Sequence, residues 1–236
     1  MRLNEWFVPR VGSPRFRAAV GLLFLPYTGM VLAFTVIGAM LAELVHWDRV
    51  AALAGIYFLA LGIGAHALDA LGSRAIKPWG DVFSKRQLRL LALVSIATAY
   101  AIGLPYLLGP APLLWWIAIL EGFFLLAYNL EWFEGRFHTD GWFALSWGAL
   151  PVLAGYVLQT NSISFAALLV AAAAGALSLV EITASRPYKA LKRSTAGGSA
   201  SGSDRVQMQQ LEAILRFVSC AVILLGLGLA AWRWTA

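Results

Sequence analysis

His66 and Asp69 stand three residues apart in an otherwise apolar run, a spacing that puts both on one helix face. Glu131, Glu134 and His138 fall at i, i+3 and i+7, and would share a face if their helix continued past Gly135. Two imidazoles with several carboxylates are a donor set for a divalent cation, and carboxylate-rich sets suit magnesium, manganese or iron. The plainer reading of Glu131, Glu134 and Asp140 is a solvated segment with ordinary ion pairs, such as Glu134 with Arg136. A second pattern occurs twice: Asp69-x-x-x-Ser73-Arg74-x-x-Lys77 and Glu181-x-x-x-Ser185-Arg186-x-x-Lys189. Each copy ends an apolar run with an acid one turn deeper than its bases, which reads as a pseudo-repeat with two acids facing one cavity. Glu121 lies inside an apolar run beside Gly122, with Tyr128 two turns further on. It is either a carboxyl hydrogen-bonded within a bundle or the polar group of a cavity.

The chain that must position these groups has 236 residues, 60% hydrophobic and only 13% charged. Globular domains carry about 25% charged residues, and the mean hydropathy here is +0.74. That composition excludes a water-soluble enzyme, a nucleic-acid-binding domain and a disordered regulator, so the net charge of +6 does not imply a nucleic-acid partner. The single cysteine, Cys220, allows no disulfide framework and no thiolate cluster. Crossing about 30 Å of hydrocarbon takes about 20 helical residues. Apolar runs of that length lie near residues 18–45, 50–71, 88–108, 113–132, 141–159, 163–184 and 210–232. Backbone groups in lipid must be satisfied within the segment, and strand alternation is absent, so the expected class is all-α: a polytopic membrane bundle of about seven helices. Residues 1–236 form one membrane domain. Residues 1–17 are a basic N-terminal segment, and 72–87 and 185–209 are loops, the second containing a slack Gly/Ser linker over 195–203.

Fifteen Lys and Arg residues fall in the N-terminal segment and the second-to-third, fourth-to-fifth and sixth-to-seventh connections, against Arg49 and Arg233 on the other side. The positive-inside rule then predicts a cytoplasmic N-terminus and an outside C-terminus, with the ionisable residues near the cytoplasmic face. Trp47, Trp115, Trp116, Trp142, Trp232 and Trp234 lie near expected interfaces as anchors, and Pro26 and Pro151 are expected to bend the first and fifth helices. A microbial rhodopsin is disfavoured, because the seventh span has no lysine for a Schiff base.

The stretch from His66 through Asp69 to Ser73, followed by Arg74, Lys77, Pro78 and Ser84-Lys85-Arg86, resembles the NDxxDxxxD motif and basic segment of the UbiA superfamily of intramembrane prenyltransferases. Tyr128 to Gly155 is similar to that family's central signature, and Glu181 to Ser185 to its second acidic motif. The resemblance covers about residues 15–195. It implies a metal-dependent membrane enzyme acting on a prenyl diphosphate or other long-chain lipid, by prenyl transfer or cyclisation. On that basis Asp69 and Glu181 would hold magnesium, and His66 would be a ligand or base. Arg74, Lys77, Arg186 and Lys189, with Tyr128 and Asn129, would bind the substrate. Of the five acidic anchors in the family's two motifs, His66, Ser73 and Ser185 replace three, and seven helices stand where the family usually has nine. Those departures keep two alternatives open. One is a centre of iron, manganese or zinc on His66, Asp69, Glu131, Glu134, His138 and Glu181, doing redox or hydrolytic chemistry on a lipid. The other is a lipid-binding or scaffold protein without chemistry.

Overall fold

A computed structural model describes residues 3–72, 82–196 and 201–235, so Arg74 and Lys77 lie outside the described residues. The chain is a polytopic membrane bundle, and among the described residues it is helical without strands. Its seven helices are α1 (Pro14–Met40), α2 (Trp47–Gly72), α3 (Lys85–Leu108), α4 (Leu114–Asn129), α5 (Asp140–Thr160), α6 (Phe165–Ala196) and α7 (Gly202–Thr235). Six are long and apolar enough to cross a membrane, and α4 is a shorter apolar helix of 16 residues.

Leu90, Leu93, Val94, Leu224, Leu225 and Leu227 point outward from α3 and α7. In water so many exposed leucines would be a liability; against lipid tails they cost nothing. The buried centre is α1 and α5, which cross with their backbones in contact. A Cβ on Gly38 would fall 2.0 Å from the Val152 carbonyl oxygen, and one on Gly155 would fall 2.1 Å from that of Thr35. Small residues allow this approach where lipid offers no hydrophobic drive for helix association.

Three departures from regular helix shape the site. α1 breaks at Phe24, a left-handed residue (φ 42°, ψ 56°), because Pro26 two positions later has no N–H and would clash with the preceding turn. α2 widens into a π-helical stretch over Phe58–Ala65, just before His66. α5 widens likewise over Leu145–Ala149, which absorbs the hydrogen bond that Pro151 cannot make and keeps the helix continuous.

Contacts sort the connections into two ends. Arg233 donates to the carbonyls of Ala42 (2.5 Å) and Glu43 (2.6 Å). The His46 N–H donates to Gln159 Oε1 (2.7 Å), and the Leu113 N–H to Asn161 Oδ1 (2.9 Å). That end therefore holds the C-terminus and three short connections; the N-terminal segment, the α4–α5 connection and the polar ends of α6 and α7 hold the other, basic end.

Two expectations need correction here. Residues 185–196 and 202–209 are not loop but the helical ends of α6 and α7, which are tied by polar contacts. Nor does α4 continue past Gly135. It stops at Asn129, and Glu131, Phe133, Glu134 and Gly135 all take positive φ, so Glu131, Glu134 and His138 share no helical face.

Candidate functional site

On α6, Glu181, Ser185 and Lys189 are four residues apart and line one stripe, the first two buried and Lys189 half-buried. Glu181 is 2% exposed, and its Oε1 is buried without a hydrogen-bond partner among the described residues. Ser185 is fully buried and accepts a short hydrogen bond from the Tyr27 hydroxyl. The Lys189 ammonium lies 5.5 Å from the Phe24 ring centre and 5.6 Å from that of Tyr27, within cation–π range. It is also the charge that both Glu181 and His66 sense. The break at Phe24 builds this corner. It turns the Phe24 ring inward to stack on His66 at 4.9 Å, whereas a straight helix would carry it elsewhere.

His66 is sandwiched. Phe24 covers one side of its ring and Trp147 lies 5.3 Å away on α5, so the widened turns of α2 and α5 meet at the imidazole. Phe143 stacks on Trp147 at 5.4 Å and contacts Tyr27 and Tyr128. A layer of aromatic faces thus roofs the polar stripe.

Tyr128 and Asn129 end α4 against this layer. The Asn129 carbonyl touches Gly72, where a Cβ would come within 2.4 Å, so the ends of α2 and α4 meet. Tyr128 lies in the electrostatic neighbourhood of Arg186, Asp69 and Asp140. His138 turns back to stack on Tyr128 at 4.3 Å, and its Nδ1 donates to the Tyr128 carbonyl (2.9 Å). Arg186 pairs with Asp140 at 2.8 Å in a half-exposed bridge, the kind worth about 0–1 kcal/mol.

His66, Asp69, Tyr128, Asn129, Glu181, Arg186 and Lys189 are therefore gathered at one end, on three helices. The six residues considered as a metal centre are not gathered: among the described residues no three of His, Cys, Asp or Glu come together in an arrangement able to hold an ion. Glu131 and Glu134 lie on the turn beyond α4, His138 is engaged with Tyr128, and the charge near His66 is the cation Lys189. The present donors do not fit a metal centre of that composition. Glu181, with its unpartnered oxygen, is the one acid of the set buried in the corner.

Residues 3–12 close the site from below, which the sequence pattern does not reveal. Glu5, 7% exposed, accepts from Lys192 Nζ at 2.8 Å. The Tyr188 hydroxyl lies 2.9 Å from Glu212 and 3.1 Å from Glu5, and its one proton serves a single carboxylate at a time. Arg17 ties the segment to itself through the Leu3 and Pro9 carbonyls, both at 2.8 Å. Phe7 then packs on Phe24 at 5.3 Å, leaving a cavity of about 10 Å³ between this strap and Glu181, Ser185 and Lys189. That is room for about one water. Glu5→Ala should free the strap. Hydrogen exchange of residues 3–12 should accelerate at least about tenfold, as for a segment deprived of its closing ties; unchanged exchange would mean that Arg17 and the aromatic residues hold the strap without Glu5.

No family profile, characterised protein or solved structure matches the chain.

Proposed function

We propose that the chain is a UbiA-like integral membrane enzyme acting on an isoprenyl diphosphate or a related long-chain lipid, by prenyl transfer or cyclisation. One observation supports this reading: Lys189 of the second pseudo-repeat lies against the Phe24 and Tyr27 faces and lines one corner with Glu181 and Ser185, at the end where Arg186 pairs with Asp140. An anionic head group with an apolar tail is what such a corner suits. Lys189 and Arg186 supply positive charge to the head, and the tail runs into the bundle. In an ionisation the allylic C–O bond breaks and its electron pair leaves with the diphosphate. The carbocation forms beside Phe24, Tyr27 and Trp147, whose faces stabilise positive charge. An acceptor then bonds to that carbon and loses a proton. The magnesium expected from the resemblance would rest on Asp69 and Glu181, and no step is assigned to it, because the described residues assemble no third ligand. We place the basic end in the cytoplasm, on the asymmetry of its fifteen Lys and Arg residues.

The strap must swing aside for a diphosphate to enter, since only about 10 Å³ is open beneath it. That closed corner is the observation favouring the second reading, a lipid-binding protein without chemistry. The two separate on one assay. Purified protein in detergent, incubated with geranyl diphosphate, magnesium and an aromatic acceptor, should release inorganic diphosphate with each turnover. Saturable binding with no release, across acceptors, would leave the lipid-binding reading.

A further inference from the structure

A cavity of about 280 Å³ lies away from the basic end, between α2, α3 and α4. Its walls are apolar apart from Glu121, Tyr57 and Tyr100. Tyr57 donates to Glu121 Oε1 at 2.9 Å, while Oε2 is buried with no hydrogen-bond partner among the described residues. Tyr100 gives its proton to the Ala118 carbonyl at 3.1 Å, so its oxygen keeps acceptor capacity inside the cavity. Gly122 permits that arrangement, because a Cβ there would come within 2.2 Å of the Tyr100 hydroxyl. On the lipid side the wall ends at Tyr100 and Ile119, which are 43% and 56% exposed, so the cavity opens laterally between α3 and α4.

An unsatisfied carboxyl oxygen in the apolar middle of a bundle costs about 1–3 kcal/mol, more if charged. A ligand that completes its hydrogen bonding recovers that cost. Phosphates, carboxylate anions and ammonium groups would each carry the desolvation penalty of a charge into the apolar membrane interior. A hydroxyl is both donor and acceptor, so it complements Oε2 in either protonation state and can accept or donate beside Tyr100. We propose that this cavity is a second lipid site, separate from the basic end, which takes from the bilayer an apolar molecule headed by a single hydroxyl. The volume sits near the lower end of small-molecule pockets, about 300 Å³, which suits a medium-length chain.

Decanol, decyl methyl ether and decane, titrated against the detergent-purified full chain, test this without any variant. Decanol should bind saturably, and about tenfold tighter than the ether or the hydrocarbon, equivalent to about 1.4 kcal/mol. Glu121→Leu should lose that about tenfold preference while Glu121→Gln keeps it, since the amide still donates and accepts. Gly103→Leu is the independent check. A Cβ there meets only Ile56 at 3.5 Å, so the remaining side chain enters the cavity and should abolish decanol binding in a chain that keeps its wild-type melting temperature. Equal affinity for the three probes, decanol binding unchanged in Glu121→Leu or Gly103→Leu, or no saturable binding at all would each overturn the proposal.

Discussion

Gly155→Ala should lower the melting temperature of the purified bundle by about 10 °C, the shift expected for a loss of about 3 kcal/mol in a chain of this size. The new methyl would lie 2.1 Å from the Thr35 carbonyl oxygen and 2.8 Å from the Ala39 nitrogen, both backbone atoms that no side-chain rotation relieves. α1 and α5 would have to separate at the central crossing of the bundle. Gly38→Ala meets the Val152 carbonyl from the opposite side and should behave alike, with the pair less than additive because both open one crossing. Gly55→Ala and Gly228→Ala supply the contrast. Neither Cβ meets a described atom within 4 Å, so each should raise stability slightly through helix propensity. Thermal unfolding in detergent reads all four, and a wild-type melting temperature for Gly155→Ala would refute the backbone crossing.

Lys189→Met should weaken the binding of a prenyl diphosphate about a hundredfold, in line with the 2–5 kcal/mol typical of deleting one partner of a buried charged contact. Lys189 is the cation at the meeting point of Glu181, His66 and the Phe24 and Tyr27 faces, and Met keeps the length while removing only the charge. Lys189→Arg should retain most of the affinity, because guanidinium also serves phosphate and aromatic faces. Lys85→Met, at the exposed start of α3, should leave it unchanged. Isothermal titration with geranyl diphosphate measures the series. Equal losses for Lys85 and Lys189 would show a general surface charge effect in place of a built clamp.

The seven helices are legible in the sequence because span length, apolar content and Pro26 act locally: each is read from its own residues. The repeat around Glu181 is legible for the same reason, since i, i+4 and i+8 on one helix need no tertiary information. The ends of α6 and α7 read as loop because their polar composition ends a hydrophobic run, yet Lys192, Glu212 and Tyr188 satisfy one another and Glu5 across the gap. The turn after Asn129 is invisible to spacing. Glu131, Phe133 and Glu134 carry no glycine signal for their left-handed backbone, and only Gly135 hints at the end of the helix. The aromatic roof over His66 depends on a left-handed phenylalanine and two widened turns on different helices, so its members are far apart in sequence. Two residues after the break, Pro26 is the available signal. Glu121 is conspicuous as an acid inside a span, but the Tyr57 bond and the cavity around it belong to packing between helices.

The most direct test of the central claim, that the basic end grips an anionic head group, is competition. Geranyl diphosphate bound to the purified chain in magnesium buffer is challenged with inorganic diphosphate, which has the head and no tail. Full displacement by inorganic diphosphate, absent in Lys189→Met, is the expected result. Geranyl diphosphate that stays bound against saturating inorganic diphosphate, and yields only to an apolar alcohol, would place recognition in the tail and contradict the assignment of Lys189.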